Sequence, residues 1–417
     1  MAPGYVAARK RSLGPGERRQ QSMNFEDVRR REARYFLPVA RRLPVALVSG
    51  RGSRVLDVEG REFVDLTAGW GVTAIGHAHP ALVEAIAEQA GRLIQTTNFL
   101  YSLPQLDLVE TLARITPVPL TRSFLVSSGA EAMDGALKLA HRATGRTKYV
   151  STRGSFHGRS LGALSVIGQD HHRAPYEALL HQGNAIVAFN DAEAALAAID
   201  ERTAAFIVEP VQGEGGVNLA APGYLKAVRE ACRAHGALLL LDEIQTGFGR
   251  TGRMFALEHD DVVPDVLTIG KMLGGGVPIA GFLCTEAVAD TVELGDHGGT
   301  YAGNLLACAA ANAVIRVIEE ERLVERAARL GEELLARLGA FAEANPELCE
   351  TARGRGLLCG LVLREPERAA ELQRRALEAR ILVNVAGGRV LRFFPALNIP
   401  GDDLWPALET LLSLAAS

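Results

Sequence analysis

Short apolar runs alternate with amphipathic stretches through the middle of the chain. Ala237-Leu238-Leu239-Leu240-Leu241 is apolar at every position and stops at Asp242-Glu243. Ser123–Val126 and Ala204–Val208 form similar runs, and Val262–Ile269 does so around a break at Pro264. Runs this short, without polar alternation, predict strands buried on both faces. Helical spacing is read at about 130–143, where Ala132, Ala136, Leu137 and Ala140 share a face, and at about 223–235 and 303–320. Strands alternating with helices predict an α/β fold around one mainly parallel sheet. Each run also ends in a polar residue: Ser127, Glu209, Asp242 and, after Gly270, Lys271. Such sheets place ligands beyond the carboxyl ends of their strands, so these four are expected at one edge.

The flanks read differently. Residues 45–66 alternate in short runs around Glu59-Gly60, which predicts strands joined by a hairpin turn. Pro80 opens a predicted helix through Gln95, with Leu82, Ile86 and Ala90 at helical spacing. In the last hundred residues an amphipathic helix is predicted near 319–343, carrying Leu323, Ala327, Leu330, Leu334 and Leu338. Short strands at 356–362, 381–383 and 390–394 follow, with helices near 366–380 and 402–414 between and after them. That mixture suggests a small α+β domain attached after the long helix.

Composition narrows the classes. A chain of 417 residues implies a large domain plus a lesser one. Its 48% hydrophobic and 23% charged content is that of an ordinary globular protein, and a net charge of −4 gives no reason to expect nucleic acid or an anionic membrane. The five cysteines are scattered, with no CxxC pair, which favours reduced buried thiols in the cytoplasm over disulfides or zinc. No apolar run approaches the roughly 18 residues of a membrane span. The basic N-terminus, with Arg9-Lys10-Arg11 and Arg18-Arg19, is expected to be a disordered tail over 1–24. His77 and His79 lack a third ligand nearby, so no metal site is expected.

Lys271 stands between a buried strand and the run Gly274-Gly275-Gly276. Most lysines are simply solvated. A desolvated one leans toward the neutral amine, which can form a Schiff base with an aldehyde. Asp242 favours the second reading, because pyridoxal phosphate needs a carboxylate against its pyridine nitrogen to act as an electron sink. Ser128-Gly129-Ala130 at a helix N-terminus offers a phosphate seat, and Phe156 offers a flat face for the ring. Gly247-Phe248-Gly249-Arg250-Thr251-Gly252 also satisfies the dinucleotide fingerprint G-x-G-x-x-G, with Asp265 downstream. Pro264 and the acidic stretch 258–261 leave little room for the helix that fingerprint needs, so nicotinamide binding is set aside.

The motifs together are specific. They are GHAHP at 76–80, SSGAEA at 127–132, FHGRS at 156–160, VEPVQGEGG at 208–216 and LDEIQTGFGRTG at 241–252. Further on come PDVLTIGKMLGGGVPIAG at 264–281, GDHGGTYAGNLLACAA at 295–310, RGRGLLCGL at 353–361 and VLRFFPALNI at 390–399. From about residue 35 onward the chain resembles the class III (ω-amino) aminotransferases of the fold type I pyridoxal phosphate enzymes, and within them the acetylornithine/succinylornithine subgroup. The resemblance implies an α/β fold: a large domain with a mainly parallel seven-stranded sheet, plus a small α+β domain. It divides the chain into an N-terminal segment at 25–70 packing with the small domain, a large domain at 71–319 and a small domain at 320–417. It also implies a cytoplasmic homodimer transferring an ω-amino group from an acetylornithine-like donor to 2-oxoglutarate, as in arginine biosynthesis.

Residue roles follow from the matching positions. Lys271 would carry the cofactor and then move the substrate proton. Asp242 would pair with the ring nitrogen, Gln245 with the ring hydroxyl, and Phe156 would stack on the ring. Ser128, Gly129 and Ala130 would hold the phosphate, joined by Thr300 from the other subunit. Arg392 would meet the α-carboxylate of glutamate and be covered by Glu214 while the ω-amine is bound; Arg159 would take the donor's α-carboxylate. Trp70 departs from the subgroup, since Ala68-Gly69-Trp70-Gly71 resembles glutamate-1-semialdehyde aminomutases, and it is expected to line the substrate entrance. Asn304-Leu305-Leu306 and Ala302 are milder departures. Ornithine, 4-aminobutyrate or diaminobutyrate are therefore alternative donors, and an aminomutase is disfavoured by Gln245-Thr246-Gly247 and Arg392.

Overall fold

The computed structural model describes residues 23–417. Most of the expected basic tail, residues 1–22, lies outside the described residues. The N-terminal strands are β1 (Leu47–Arg51), β2 (Arg54–Asp57) and β3 (Glu62–Asp65), with the expected hairpin turn at Glu59-Gly60 joining the last two. They pair antiparallel, and the β2–β3 turn closes on Asp57, whose Oδ1 accepts from the backbone N–H of Glu59 and Arg61 at 3.0 and 2.8 Å.

The central sheet gathers the apolar runs. Its strands are β4 (Arg122–Val126), β5 (Lys148–Thr152), β6 (Ala185–Val187) and β7 (Thr203–Val208), followed by β10 (Leu238–Asp242), β11 (Val266–Ile269) and β12 (Ala280–Cys284). A two-residue-per-strand hairpin, β8 (Val211–Gln212) and β9 (Asn218–Leu219), sits between β7 and β10. The seven strands run in the order β4-β12-β11-β10-β7-β5-β6, and β12 alone is antiparallel to its neighbours. Every residue of β7, β11 and β12 is buried, as strands covered on both faces must be. The Gly129–Thr144 helix packs on β11 and β12, and the Tyr224–His235 helix packs on β10.

The C-terminal strands are β13 (Cys349–Arg355), β14 (Leu358–Leu363), β15 (Ile381–Leu382), β16 (Asn384–Ala386) and β17 (Val390–Phe393). Four of them form the sheet β13-β14-β17-β16, while β15 pairs parallel with β3 and joins the N-terminal strands. The helix from Pro80 stops at Ala90, short of Gln95, because Gly91 lacks the side chain and helix propensity to continue it. The helices Leu305–Glu320 and Leu323–Ala344 are separated by Arg322, whose φ of +52° cannot belong to a right-handed helix.

Three backbones cross tightly where the C-terminal unit meets the central one. A Cβ added to Gly331, in the Leu323–Ala344 helix, would lie 2.1 Å from the Gly356 carbonyl oxygen; one added to Gly356 would lie 2.4 Å from the Thr251 carbonyl carbon. Alanine normally stabilises a helix relative to glycine by about 1 kcal/mol. Here overpacking outweighs that gain. Gly331→Ala is expected to lower stability by about 1–3 kcal/mol, read as a reduced urea midpoint, and an unchanged or raised midpoint would show that the crossing is loose.

Candidate active site

The parallel strands β4, β11, β10 and β7 deliver their carboxyl ends to one edge of the sheet. Ser127, Lys271, Asp242 and Glu209 stand at or just beyond those ends. Asp242 is the last residue of β10 and is buried. Its Oδ1 accepts from Thr268 Oγ1 and from the Ile244 backbone N–H, each at 3.0 Å. Its Oδ2 lies 2.7 Å from His157 Nδ1. Charged carboxylates survive burial only with such partners. His157 is fully enclosed and its Nε2 has no partner among the described residues. The sequence reading took Phe156 and Arg159 from this loop and passed over the histidine between them. A histidine in a glycine-punctuated loop was the available signal.

Glu243 points elsewhere. It accepts from the backbone N–H of Ala256 and Leu257 at 2.6 and 2.8 Å and from Thr246 Oγ1 at 3.0 Å, and burial still pushes its carboxyl up to about 7. It closes the following loop and leaves the site to Asp242.

Lys271 follows β11 with φ of +39° and opens a single 3-10 turn, Lys271–Gly274. Burial lowers its ammonium pKa; Arg392 pushes the same way, while Glu214, Asp242 and Glu209 oppose it. Glu209 sits beside Asp242 on the neighbouring strand end, buried, with Oε2 unpartnered. Burial and then the Asp242 charge raise its carboxyl pKa well above the ordinary value.

At the end of β4, Ser128 caps the Gly129–Thr144 helix, its Oγ accepting from the Glu131 backbone N–H at 3.3 Å. Glu131 in turn accepts from the Ser127 N–H at 2.8 Å. Gly129 and Gly158 keep the approach open. A Cβ on Gly129 would come within 2.9 Å of Ile244 Cδ1, and one on Gly158 within 2.7 Å of Ala130 Cβ. Phe156 is half-buried on the same loop as Gly158.

Arg392, on β17, is fully buried and reaches across from the C-terminal sheet. Its Nη1 donates to Glu214 at 2.8 Å and to Gln245 Oε1 at 3.1 Å, its Nε donates to Asn384 Oδ1 at 3.1 Å, and Gln245 Nε2 donates to Glu214 at 3.1 Å. Its guanidinium lies 4.1 Å from the Phe394 ring centre, while Nη2 has no partner among the described residues. Burial works against the Glu214 charge, yet Arg392 and Lys271 hold its carboxyl down to about 2.

Trp70 is 64% exposed within a turn where Ala68, Gly69, Trp70 and Gly71 all have positive φ. A bulky side chain is rare in that region. The turn is seated on Arg392's aromatic platform, since a Cβ on Gly71 would meet Phe394 Cδ2 at 2.8 Å. Arg159 is exposed, its guanidinium 5.9 Å from the Phe156 ring centre. Thr300 is exposed on the loop before the Leu305–Glu320 helix, its backbone oxygen accepting from Gln95 Nε2 at 2.7 Å. Among the described residues it makes no bond to the cluster around Lys271.

The glycines at 247–252 bind no dinucleotide helix, because a 3-10 turn at Ala256–His259 follows them. Gly249 and Gly252 instead admit Val324 and Ala328 of the Leu323–Ala344 helix, and Asp265 is engaged by Arg229 Nη2 at 2.9 Å. A cavity of about 1040 Å³ lies between the Gly129–Thr144 helix and residues 289–297, away from Lys271, Asp242 and Arg392. Volume does not mark this site; its chemistry does. A capped helix N-terminus without side-chain bulk, a fixed carboxylate, a desolvated amine and an unpaired guanidinium nitrogen fit a flat, phosphate-bearing aldehyde cofactor with a ring nitrogen, such as pyridoxal phosphate.

Comparison with known proteins agrees. The profile of the family described as Aminotransferase class-III matches residues 36–414. The acetylornithine aminotransferase of Methanopyrus kandleri is 45% identical over 385 residues, spanning 92% of this chain and 98% of that protein. An ornithine aminotransferase structure from Toxoplasma gondii, described as showing partial occupancy of PLP at its active site, superposes with a TM-score of 0.90 at 33% identity, covering 94% of each chain. The acetylornithine aminotransferase structure from Elizabethkingia anophelis gives 0.83 at 30% identity, covering 95% of this chain and all (100%) of that one.

The Glu214–Arg392 pair makes a pH prediction. Glu214 titrates near 2 when folded against 4.5 as an ordinary carboxyl, so its stabilising contribution is complete above pH 4.5 and is lost as pH falls toward 2. Replacing it as Glu214→Gln should therefore lower the urea midpoint at pH 5 to 7, with the gap to the native chain closing on acidification. A gap that stays constant with pH would show that the carboxylate charge is not what stabilises the pair.

Proposed function

The chain belongs to the class III aminotransferases, and within that family we propose that it moves the ω-amino group of an acetylornithine-like donor to 2-oxoglutarate, yielding a semialdehyde and glutamate. As an aminotransferase it takes an amine donor and a keto acid, with pyridoxal phosphate as cofactor. The relatives named acetylornithine aminotransferase support the choice of donor, and with it a place in arginine biosynthesis. The single observation that carries the reading is the Glu214–Arg392 ion pair, buried on one side and with a free guanidinium nitrogen on the other.

That pair accounts for two substrates in one pocket. With Glu214 on Arg392, the positive charge is masked and an ω-amine end is accepted. When glutamate or 2-oxoglutarate binds, Glu214 moves aside and Arg392 meets the carboxylate, a two-pronged contact that a guanidinium makes well. Gln245 is bonded to both partners and would also hold the ring hydroxyl. Arg159 takes the donor's α-carboxylate on the exposed side.

Bound pyridoxal phosphate supplies an aldehyde that holds the amino group and a ring that withdraws electrons from the adjacent carbon. Lys271 Nζ, shifted toward the neutral amine by burial, takes and returns the proton of the amine-bearing carbon. Asp242, held in place by Thr268, the Ile244 N–H and His157, would meet the ring nitrogen. Ser128, Gly129 and Ala130 hold the phosphate and Phe156 covers the ring.

We read the chain as a homodimer, with Thr300 completing the partner's phosphate seat. Phe99, Leu100, Tyr101 and Leu103 are exposed near the Thr300 loop, where Leu294 and Tyr301 are exposed as well. So much exposed apolar surface favours an interface over solvent. In this reading 71–319 is the large domain and 320–417 the small one, with Arg392 reaching across the boundary. Five free, buried cysteines suit the cytoplasm. A second donor class is favoured by Trp70, whose exposed indole beside the Arg392 platform would reshape the entrance for ornithine, 4-aminobutyrate or diaminobutyrate.

Three measurements test these assignments. Lys271→Ala should reduce turnover by at least about a thousandfold, and substantial residual activity would show that another lysine does the work. A panel of amine donors with 2-oxoglutarate should rank N-acetylornithine first; equal rates with 4-aminobutyrate would overturn the donor assignment. Glu214→Ala should raise kcat/KM for glutamate relative to the ω-amine by about tenfold, and an unchanged ratio would remove the switch.

A further inference from the structure

Arg159 does not stand alone. Its Nη2 lies 3.2 Å from His172 Nε2, and the His172 ring meets Phe156 edge-on, with centroids 5.9 Å apart. The Arg159 guanidinium is 5.9 Å from the same Phe156 ring. Three side chains from two segments thus form a triangle at the rim of the site. Nothing in the transamination described above uses His172.

The chemistry of the contact sets its direction. A guanidinium can only donate, so His172 Nε2 must accept, and the imidazole proton must sit on Nδ1. Protonation would remove the lone pair and place a second cation beside the first. Burial, the Arg159 charge and the His171 charge all lower the His172 pKa below its ordinary 6.5, which keeps the acceptor form at neutral pH. The groups facing His172 are Arg159 from the loop and His171 from its own turn, the two imidazole rings being 3.9 Å apart. Asp170 and Arg173 flank it along the chain, and Arg173 is directed to Glu177 at 3.5 Å and Asp170 at 4.0 Å. No carboxylate offsets the repulsion that protonation would create at His172.

We propose that His172 is a positioning residue for carboxylate binding at the rim: as a neutral acceptor it fixes the exposed Arg159 against Phe156, aimed to receive the α-carboxylate of the amine donor. The proposal rests on the reading of Arg159 as the donor-carboxylate clamp. An exposed arginine left free samples many rotamers, and fixing one end lowers the entropy lost when a carboxylate binds. Arg392 takes only one of the two carboxylates of 2-oxoglutarate, so the other reaches the same clamp and the effect extends to both substrates. Below the histidine range, protonated His172 releases Arg159 and donor binding weakens.

Steady-state kinetics of the holoenzyme from pH 5 to 8 test this. His172→Phe, which keeps the ring and loses the acceptor, should raise KM for N-acetylornithine about fivefold at pH 7.5 with kcat changed less than about twofold, and raise KM for 2-oxoglutarate in the same direction. The native enzyme's donor KM should rise as pH falls below 6.5. His172→Gln, an acceptor that does not titrate, should restore the low KM and abolish that pH dependence. Histidine NMR titration supplies a readout independent of turnover: Arg159→Ala should move the His172 midpoint upward by removing the neighbouring cation.

If Arg159→Ala raises donor KM while His172→Phe does not, the positioning role is wrong and the clamp stands. If Arg159→Ala leaves donor KM unchanged, the clamp reading fails and the proposal falls with it. An unmoved His172 midpoint in Arg159→Ala would show that the two side chains are not coupled in solution.

Discussion

One buried carboxyl sets the terms for the rest of the site. Asp242 lies buried at the end of a strand, and three groups converge on its two oxygens: Thr268 Oγ1 and the Ile244 N–H on Oδ1, and His157 Nδ1 on Oδ2. Glu209, buried one strand away with Oε2 unpartnered among the described residues, has its carboxyl pKa raised well above the ordinary value by burial and then by the Asp242 charge. Lys271, equally buried, is shifted toward the neutral amine. Adjacent parallel strands thus present two carboxyl groups and an amine in different environments, one carboxyl richly bonded and the other desolvated. That division is what proton transfer at a carbon centre needs.

Buried cations tie the C-terminal sheet to this edge. Arg250 is fully buried with no anion beside it. It donates to the carbonyls of Leu357 and Pro395 at 2.9 and 2.6 Å and to the Met272 sulfur at 3.4 Å, and burial lowers its pKa to about 9. Met272 is the residue after the lysine. The strap from the C-terminal unit therefore ends on the turn that aims Lys271. Arg392 crosses the same seam to Glu214 and Gln245. Arg250 is held by backbone oxygens that cannot leave, whereas Arg392 is held by three side chains that can. The same residue type serves as a fixed strap in one place and as a movable contact in the other.

The legible parts of the sequence were those whose physics is local. A run of leucines stopping at an acid, a lysine before three glycines and small residues opening a helix each carry their meaning within a few positions, and β10, the Lys271 turn and the Ser128 cap stand where those patterns put them. What escaped depends on residues far apart in the chain. His157 matters because β5's loop folds over the end of β10, which no window around residue 157 reveals. Strand β12 carries a glycine where its backbone passes close to the Phe124 carbonyl, so its pattern lacks the unbroken apolar run that marked β10. The sequence puts Gly331 inside a helix, Gly356 at the head of a strand and Gly252 in a dinucleotide-like fingerprint, and only the crossing of three segments shows why a side chain is excluded.

Chemistry and specificity are held by different kinds of matter in this fold. The residues that handle protons lie on strand ends inside a close-packed sheet, where a substitution disturbs charge, packing and backbone together. Trp70, Arg159 and His172 lie on exposed or half-exposed turns, and the turn at Ala68–Gly71 already tolerates a bulky residue at positive φ. In the proposed reading a change there alters which amine reaches the cofactor and leaves the buried edge around Asp242 and Glu209 untouched. The fold constrains the reaction tightly because electrostatics in a buried edge has few solutions, and it leaves the substrate open because the rim has many.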